Sequence, residues 1–429
     1  MPRIAARVLL AAVLLILTTA AVCNPEPDHV IEPLPRIQEQ ALVNHLTKLE
    51  EIAEREGDRP AGTPGYDASV EHVAGVLRAA GWRVEVQEVP MALWRERSPA
   101  TLTTEDAGTL QPVRDFRVPS YSGGGAADGA LRVVEDACQP ADFEGVAPGE
   151  VALTSIGGCL LWRKARSALR AGAGALLVQT GTSGRGVASA TLAVPFIGLP
   201  VALIDRKVRL RSGERVQLSV EAVTERGSTQ NVIAENVSPH GSVVMAGAHL
   251  DSVPGGPGVN DNGSGVATLL AVAETFGDRV DGRIRLAFWG GEEEGLIGSR
   301  YYVRGLSEAQ RRAIKAYVNL DMVGSPNAVP GVYSDGEPEL GALLRRVHPG
   351  REAGVLTGNR SDHAAFERAG VPVNGLYTGA NERGPGGKPR DPCYHLPCDT
   401  LANVDRDVLL RMARATARAL ARLAGAQAK

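Results

Sequence analysis

A chain of 429 residues with a formal net charge of −3 is too long for one core of ordinary size, and predicts two domains or one large domain with an insertion. Charges of both signs are dispersed, which excludes the basic footprint of a nucleic-acid binder. With 50 glycines, 27 prolines and only 4% aromatic residues, the composition suits a loop-rich α/β protein better than a helical bundle.

The N-terminus has the layout of a secretory signal peptide over residues 1–23. Arg3 and Arg7 precede the apolar run "VLLAAVLLILTTAAV", and small residues lead up to Cys23. The run is too short to span a membrane comfortably, so the mature chain is expected to be secreted and to carry no transmembrane helix. The alternatives are an uncleaved membrane anchor, or lipid attachment at Cys23 that would leave the chain at the cell surface. Val22 is bulky for the residue before a lipidated cysteine. Apart from Cys23, the chain holds Cys138, Cys159, Cys393 and Cys398. An even number in an exported chain reads as two disulfides. Cys393 and Cys398 flank "YHLP" and can bridge locally, while Cys138 and Cys159 fall together in another region. No CxxC pattern recommends a four-cysteine metal site.

After a Pro-rich arm, "IQEQALVNHLTKLEEIAERE" has helical periodicity, and the stretch from Gly57 to Val89 reads as loop, helix and strand. Residues 118–225 differ: short strands, one clear helix and glycine turns predict a small β-rich module inside a larger α/β domain. Its pattern "ACQPADF…GCLLWRKARSALRAGAGALLV" resembles the protease-associated domain. The module contains no cluster of metal ligands or nucleophiles, so it reads as a substrate-access or interaction module, or as a purely structural insertion. Residues 24–117 and 226–429 would then form the catalytic domain in two parts. From Ser228 onward, strands alternate with helices ("SVVMAGAHLD", "GVATLLAVAETF", "RIRLAFWG", "GLIGSRYYVRGL", "AIKAYVNLD"), which predicts a mainly parallel mixed sheet with helices on both faces. Sites in such folds gather beyond the carboxyl ends of the strands.

Candidate ligands stand at those ends. His249 and Asp251 close "AGAHLDS", Asp261 lies in "GVNDNGSG", Glu292 and Glu293 in "FWGGEEEG", and Asp321 in "AYVNLDMVGS". His395 lies far downstream in "CYHLPCDT". Each also has an ordinary account: a hydrogen-bonded histidine, an N-cap aspartate, acids favoured by a helix dipole. Their conjunction at element boundaries points instead to a cation site, and two histidines with three carboxylates suit Zn²⁺.

Together "GAHLDS", "GVNDNGSG", "FWGGEEEGLIGS", "YVNLDMVGSPN", "GNRSDHAAFERAGVPV" and "CYHLPCDT" resemble the co-catalytic di-zinc aminopeptidases of the bacterial leucyl aminopeptidase and aminopeptidase Y type, of clan MH. The likeness covers most of the chain after the signal. It implies a zinc-exopeptidase fold and two zinc ions, with His249 and Asp321 on one, Glu293 and His395 on the other, and Asp261 bridging. It further implies Asp251 accepting the remaining N–H of His249, Glu292 as general base, Tyr394 as donor to the oxyanion, and Arg360 in the stretch that forms the substrate-amine side of the pocket. Asp362 in the same stretch could be structural, and Glu294 is read as a solvated first-turn acid. The expected substrates are peptides with a free N-terminus. The loop "NERGPGGKPRDP" is short, and Leu410 and Arg414 stand where some relatives place calcium ligands, so no calcium is carried over. The rival functions are a single-zinc, glutaminyl-cyclase-like acyl transferase and a non-catalytic receptor-like relative. The complete set of five ligand positions plus Glu292 argues against both.

Overall fold

In the strand Val243–His249, every residue is buried, as a central parallel strand covered on both faces requires. The computed structural model describes residues 36–181, 184–236, 242–277, 280, 282–347, 353–355, 358 and 360–425. The signal reading and Cys23 lie outside the described residues. Among those described, no helix is long and apolar enough to cross a membrane.

From one edge, the large sheet runs Ala353–Val355, Gly331–Tyr333, Val373–Tyr377, Ile314–Leu320, Val243–His249, Ile284–Trp289 and Arg215–Glu235. Val243–His249 is parallel to Ile284–Trp289 on one side and to Ile314–Leu320 on the other, and Ile314–Leu320 is parallel to Val373–Tyr377. Strand alternation sends Val244, Ala246 and Ala248 to one face and Val243 and Met245 to the other. The first face packs on the helices Glu39–Glu56, Pro64–Ala79, Gly263–Phe276 and Arg406–Leu423. The second meets Ile297–Gly305 and His363–Arg368. Gly247 is glycine for a packing reason: a β-carbon there would strike Trp289 and Tyr317, whose side chains hydrogen-bond at 2.9 Å. This is the mixed, mainly parallel α/β sheet expected from the sequence.

A second, smaller sheet grows from the same long strands. Arg83–Thr104 pairs antiparallel with Arg215–Glu235 along almost its full length, with irregularities at Glu96 and Ser98. Gly125–Val133 adds to the far end of Arg215–Glu235, followed by Val151–Ser155, Ala175–Thr180, Val201–Asp205 and Phe116–Arg117. The helix Leu161–Arg170 covers this unit, which has apolar clusters of its own around Leu102, Leu131 and Ile204 and around Phe143, Ala165 and Leu203. The reading of one module over 118–225 meets two structural facts. Its end falls inside a continuous strand, and Phe116–Arg117, just before its start, pairs with the small sheet. A strand that passes from one sheet to the next leaves no break in sequence. Disulfides join Cys138 to Cys159 and Cys393 to Cys398, with Cα separations of 5.9 and 5.3 Å.

One half-buried histidine in the helical layer bears on stability. Burial, helped by nearby His45 and Lys48 and opposed by Glu274, lowers the His72 pKa to about 4. The unfolded chain, with the ordinary value near 6.5, then binds the extra proton first. The contribution of neutral His72 is fully present above pH 6.5 and is lost as pH falls towards 4. His72→Gln should therefore flatten the pH dependence of the urea midpoint between pH 6.5 and 4. An unchanged slope would assign the acid sensitivity elsewhere.

Candidate metal centre

Three neighbouring parallel strands end on the same side, and their carboxyl ends supply most of the cluster. His249 is the last residue of Val243–His249, Asp321 directly follows Ile314–Leu320, and Glu292 and Glu293 follow Ile284–Trp289 after two glycines. Asp261 comes from the loop before the helix Gly263–Phe276, across a cis peptide bond from Asn262. Asn262, not Asp261, caps that helix, accepting the Gly265 N–H at 3.0 Å. The Asp261 carboxylate is thereby left for the cluster. His395 arrives from the loop closed by Cys393–Cys398.

Asp261 is the shared member. Its Oδ1 lies 3.2 Å from His249 Nε2 and its Oδ2 3.2 Å from His395 Nε2. Asp321 Oδ1 is 3.4 Å from His249 Nε2, and Glu293 Oε2 is 3.2 Å from His395 Nε2. Two groups, His249–Asp261–Asp321 and Asp261–Glu293–His395, each present ligand atoms within 4.8 Å of one another; so does a third, His249–Glu292–Glu293. The expected five ligands and Glu292 are thus gathered in one place.

The electrostatics call for positive charge. Burial pushes the Glu292 and Glu293 carboxyls above their ordinary range. Burial opposes charge on the imidazoles as well, yet Asp321 and Glu292 beside His249, and Glu293 and Asp261 beside His395, hold both well above the usual value. Against its own burial, Asp261 is held low by the two imidazoles. Glu293 Oε1 is buried with no hydrogen-bond partner. An orphaned acid oxygen among three carboxylates and two imidazoles is the donor set of a borderline cation such as zinc.

The frame behind the cluster departs from expectation at two residues, Asp251 and Glu294. His249 Nδ1 meets the main-chain carbonyl of Asp251 at 3.0 Å, while the nearer Asp251 carboxylate oxygen is 3.8 Å away. The fully buried carboxylate instead accepts the main-chain N–H groups of Glu292 and Glu293, each at 3.2 Å, and shapes the glutamate turn. Glu294 is not a solvated first-turn acid: it is 7% exposed, its Oε2 has no hydrogen-bond partner, and the helix begins only at Ile297. Tyr394 and Arg360 both line the cleft. The Tyr394 ring stacks on His395, centroids 3.8 Å apart, and Arg360 pairs with Glu382 at 3.4 Å. Asp362 is buried behind them, its carboxyl pushed by burial up to about 7.

Sequence reasoning missed three supports. Asp399 accepts the N–H groups of Asn260 and Asp261, both at 2.9 Å, and Asp391 accepts from Asn260 Nδ2 at 2.6 Å and from the Cys393 N–H at 2.8 Å. These two acids flank the disulfide loop in "DPCYHLPCD", a pattern that could have drawn attention to them. Arg59 is fully buried, lowered by burial to about 10, and so remains charged at neutral pH. Its guanidinium donates to the carbonyls of Leu250 at 2.6 Å and of Pro257 and Gly258 at 3.0 Å. The cleft above the cluster, about 790 Å³, is walled on one side by Leu160, Leu161, Trp162 and residues 191–194 of the small-sheet unit.

A mainly parallel sheet whose carboxyl edge gathers two histidines and a set of buried acids defines an α/β metal-site protein. The sequence profile of Peptidase family M28 matches residues 231–420. The chain is 35% identical to an aminopeptidase of Pseudomonas aeruginosa, over 88% of this chain and 79% of that protein. It is also 35% identical to the probable lipoprotein aminopeptidase LpqL of Mycobacterium tuberculosis, over 87% and 82% of the two chains. Among solved structures, the zinc aminopeptidase BSAP of Bacillus subtilis superposes with a TM-score of 0.76 at 27% identity, covering 90% of this chain and 95% of that one. The chain belongs to Peptidase family M28.

The Arg59 brace can be tested apart from chemistry. Arg59→Ala leaves three carbonyls without their donor, and the lost stability should be on the order of 3 kcal/mol. The measurement is the urea midpoint at constant m. A change below about 1 kcal/mol would show that water replaces the guanidinium.

Proposed function

We propose that the cluster holds two zinc ions, one on His249 and Asp321 and one on Glu293 and His395 with Asp261 between them, and that it removes N-terminal residues from peptides. The coarser statement stands on family membership: the protein is a zinc-dependent aminopeptidase, a metallo-hydrolase acting on peptides. The observation that carries the finer reading is Asp261, with one carboxylate oxygen on each histidine.

Zinc supplies Lewis acidity at such a site, drawing charge from a carbonyl oxygen and acidifying water. The remaining work falls to side chains. Glu292 lies outside the two groups that share Asp261 but within reach of His249 and Glu293, and is assigned as the general base. It takes a proton from the attacking water as the oxygen bonds to the scissile carbonyl carbon. It then delivers that proton to the departing amine nitrogen as the C–N bond breaks. Tyr394, in the cleft beside His395, donates its O–H to the oxygen that becomes negative. Surplus carboxylate charge receives the substrate's free α-ammonium, and an internal peptide bond brings none, which makes the enzyme an exopeptidase.

We further propose that the chain is exported, or held at the cell surface through Cys23. The two disulfides favour an oxidising compartment, and the Mycobacterium relative is named a lipoprotein. The small-sheet unit is assigned as a protease-associated domain that walls the cleft.

Given a free-amine peptide and its N-acetylated twin, the protein should shorten only the first, stepwise from the N-terminus and only without chelator. Cleavage of the blocked peptide would refute the ammonium requirement. Glu292→Gln should lower turnover by at least about 10²-fold with near-normal zinc content, whereas Glu293→Ala should lose zinc. An active Glu292→Gln would remove Glu292 as the base.

A further inference from the structure

The two histidines of the cluster are oriented by different parts of the molecule. His249 is turned by a carbonyl two residues along its own chain. His395 is turned by the small-sheet unit: its Nδ1 lies 2.9 Å from the main-chain carbonyl of Ser189, and the Ser189 N–H donates to the His395 carbonyl at 3.0 Å. With Nδ1–H committed to that carbonyl, the lone pair sits on Nε2, which faces Asp261 and Glu293. His395 also has φ 59°, a left-handed backbone that a β-carbon disfavours, so its short loop does not select this pose by local preference.

Ser189 is itself held. It is 7% exposed, and its Oγ donates to the Pro254 carbonyl at 3.1 Å. Arg117, on the edge strand of the small sheet, donates through Nη1 both to Ser189 Oγ and to the Pro254 carbonyl, the latter at 3.2 Å. Pro254 follows the strand that carries His249. One guanidinium thus ties the Ser189 loop to the loop that leaves the His249 strand.

We propose that Ser189 and Arg117 are positioning residues for His395: the small-sheet unit provides the acceptor that sets the His395 tautomer, and Arg117 keeps that acceptor in place. The unit is then part of the metal site, beyond walling the cleft. The proposal rests on the two-zinc reading of the cluster. Loosening the latch weakens the zinc held by Glu293 and His395 and spares the one held by His249 and Asp321.

The test is zinc retention in a graded chelator competition on the full-length protein, with histidine ¹⁵N spectra of the zinc-loaded forms and the unfolding midpoint in excess chelator. Arg117→Ala should release one of two zinc ions about 10–100-fold more readily, lose the single Nδ1–H signature of His395, and keep the wild-type midpoint in chelator. Ser189→Ala, which retains the carbonyl but loses the Oγ tie, should shift the same zinc by less. Arg117→Lys should restore most of the retention. A wild type with two zinc ions, matched by an Arg117→Ala protein with unchanged retention at both, overturns the positioning role alone. So does equal weakening of both ions with a lowered chelated midpoint, since that is a folding defect. A wild type holding fewer than two zinc ions overturns the two-zinc reading, and this proposal with it.

Discussion

Buried negative charge sets the terms for everything at the carboxyl edge of the sheet. Asp251, Asp261 and Asp362 are buried, and Glu292, Glu293 and Asp321 stand beside them half-buried at the floor of the cleft. Isolated carboxylates in that setting are costly, and they persist only when paired or coordinated. Asp261 shows the solution in its simplest form, one oxygen turned to each imidazole. The two glutamates differ in their surroundings. Glu293 turns one oxygen to His395 and leaves the other unpartnered, while Glu292 stands outside both groups that share Asp261.

Such a cluster needs a rigid surround, because like charges push apart whatever is free to move. The surround is built mostly from main-chain groups. Asp251 holds the glutamate turn by two N–H groups, and Asp399 holds the Asp261 loop by two more. Burial and neighbouring Asp391 raise the Asp399 carboxyl to about 8. Arg59 closes the opposite side by collecting three carbonyls, and places a buried cation near Asp251, Asp399 and Asp261. Each brace joins segments far apart in the chain, so the site exists only once the large sheet is assembled.

The legible part of the site was the part written at element boundaries. His249, Asp261, Glu293 and Asp321 could be found because each stands near a strand end or a helix start in a chain whose α/β alternation is plain, and His395 because it lies between two cysteines in "CYHLPCDT". The fold was legible for the same reason: the apolar runs of Val243–His249, Ile284–Trp289 and Ile314–Leu320 match strands buried on both faces. Glu294 was not legible. Three adjacent acids before a helical pattern look like a solvated first turn, and only the packed turn shows that its carboxyl faces inward. Nor could the divided duty of Asp251 be read, since carbonyl and carboxylate of one residue are the same letter. The edge of the small-sheet unit was blurred because Arg83–Thr104 and Arg215–Glu235 run through both sheets.

By itself, the sequence determined which chemistry is available: the histidines and acids at the strand ends, their order, the disulfide partners and the sheet that brings strand ends together. Those follow from local pattern, since periodicity, glycine turns and residue type act over a few neighbours. Only the tertiary structure decided how that chemistry is aimed. Ser189 reaching His395 across 206 positions, Arg59 spanning three carbonyls, and the wall that Trp162 raises over the cleft are all long-range contacts. Their partners are main-chain atoms or packed surfaces, which every residue type offers alike, and so they leave no mark in the order of side chains.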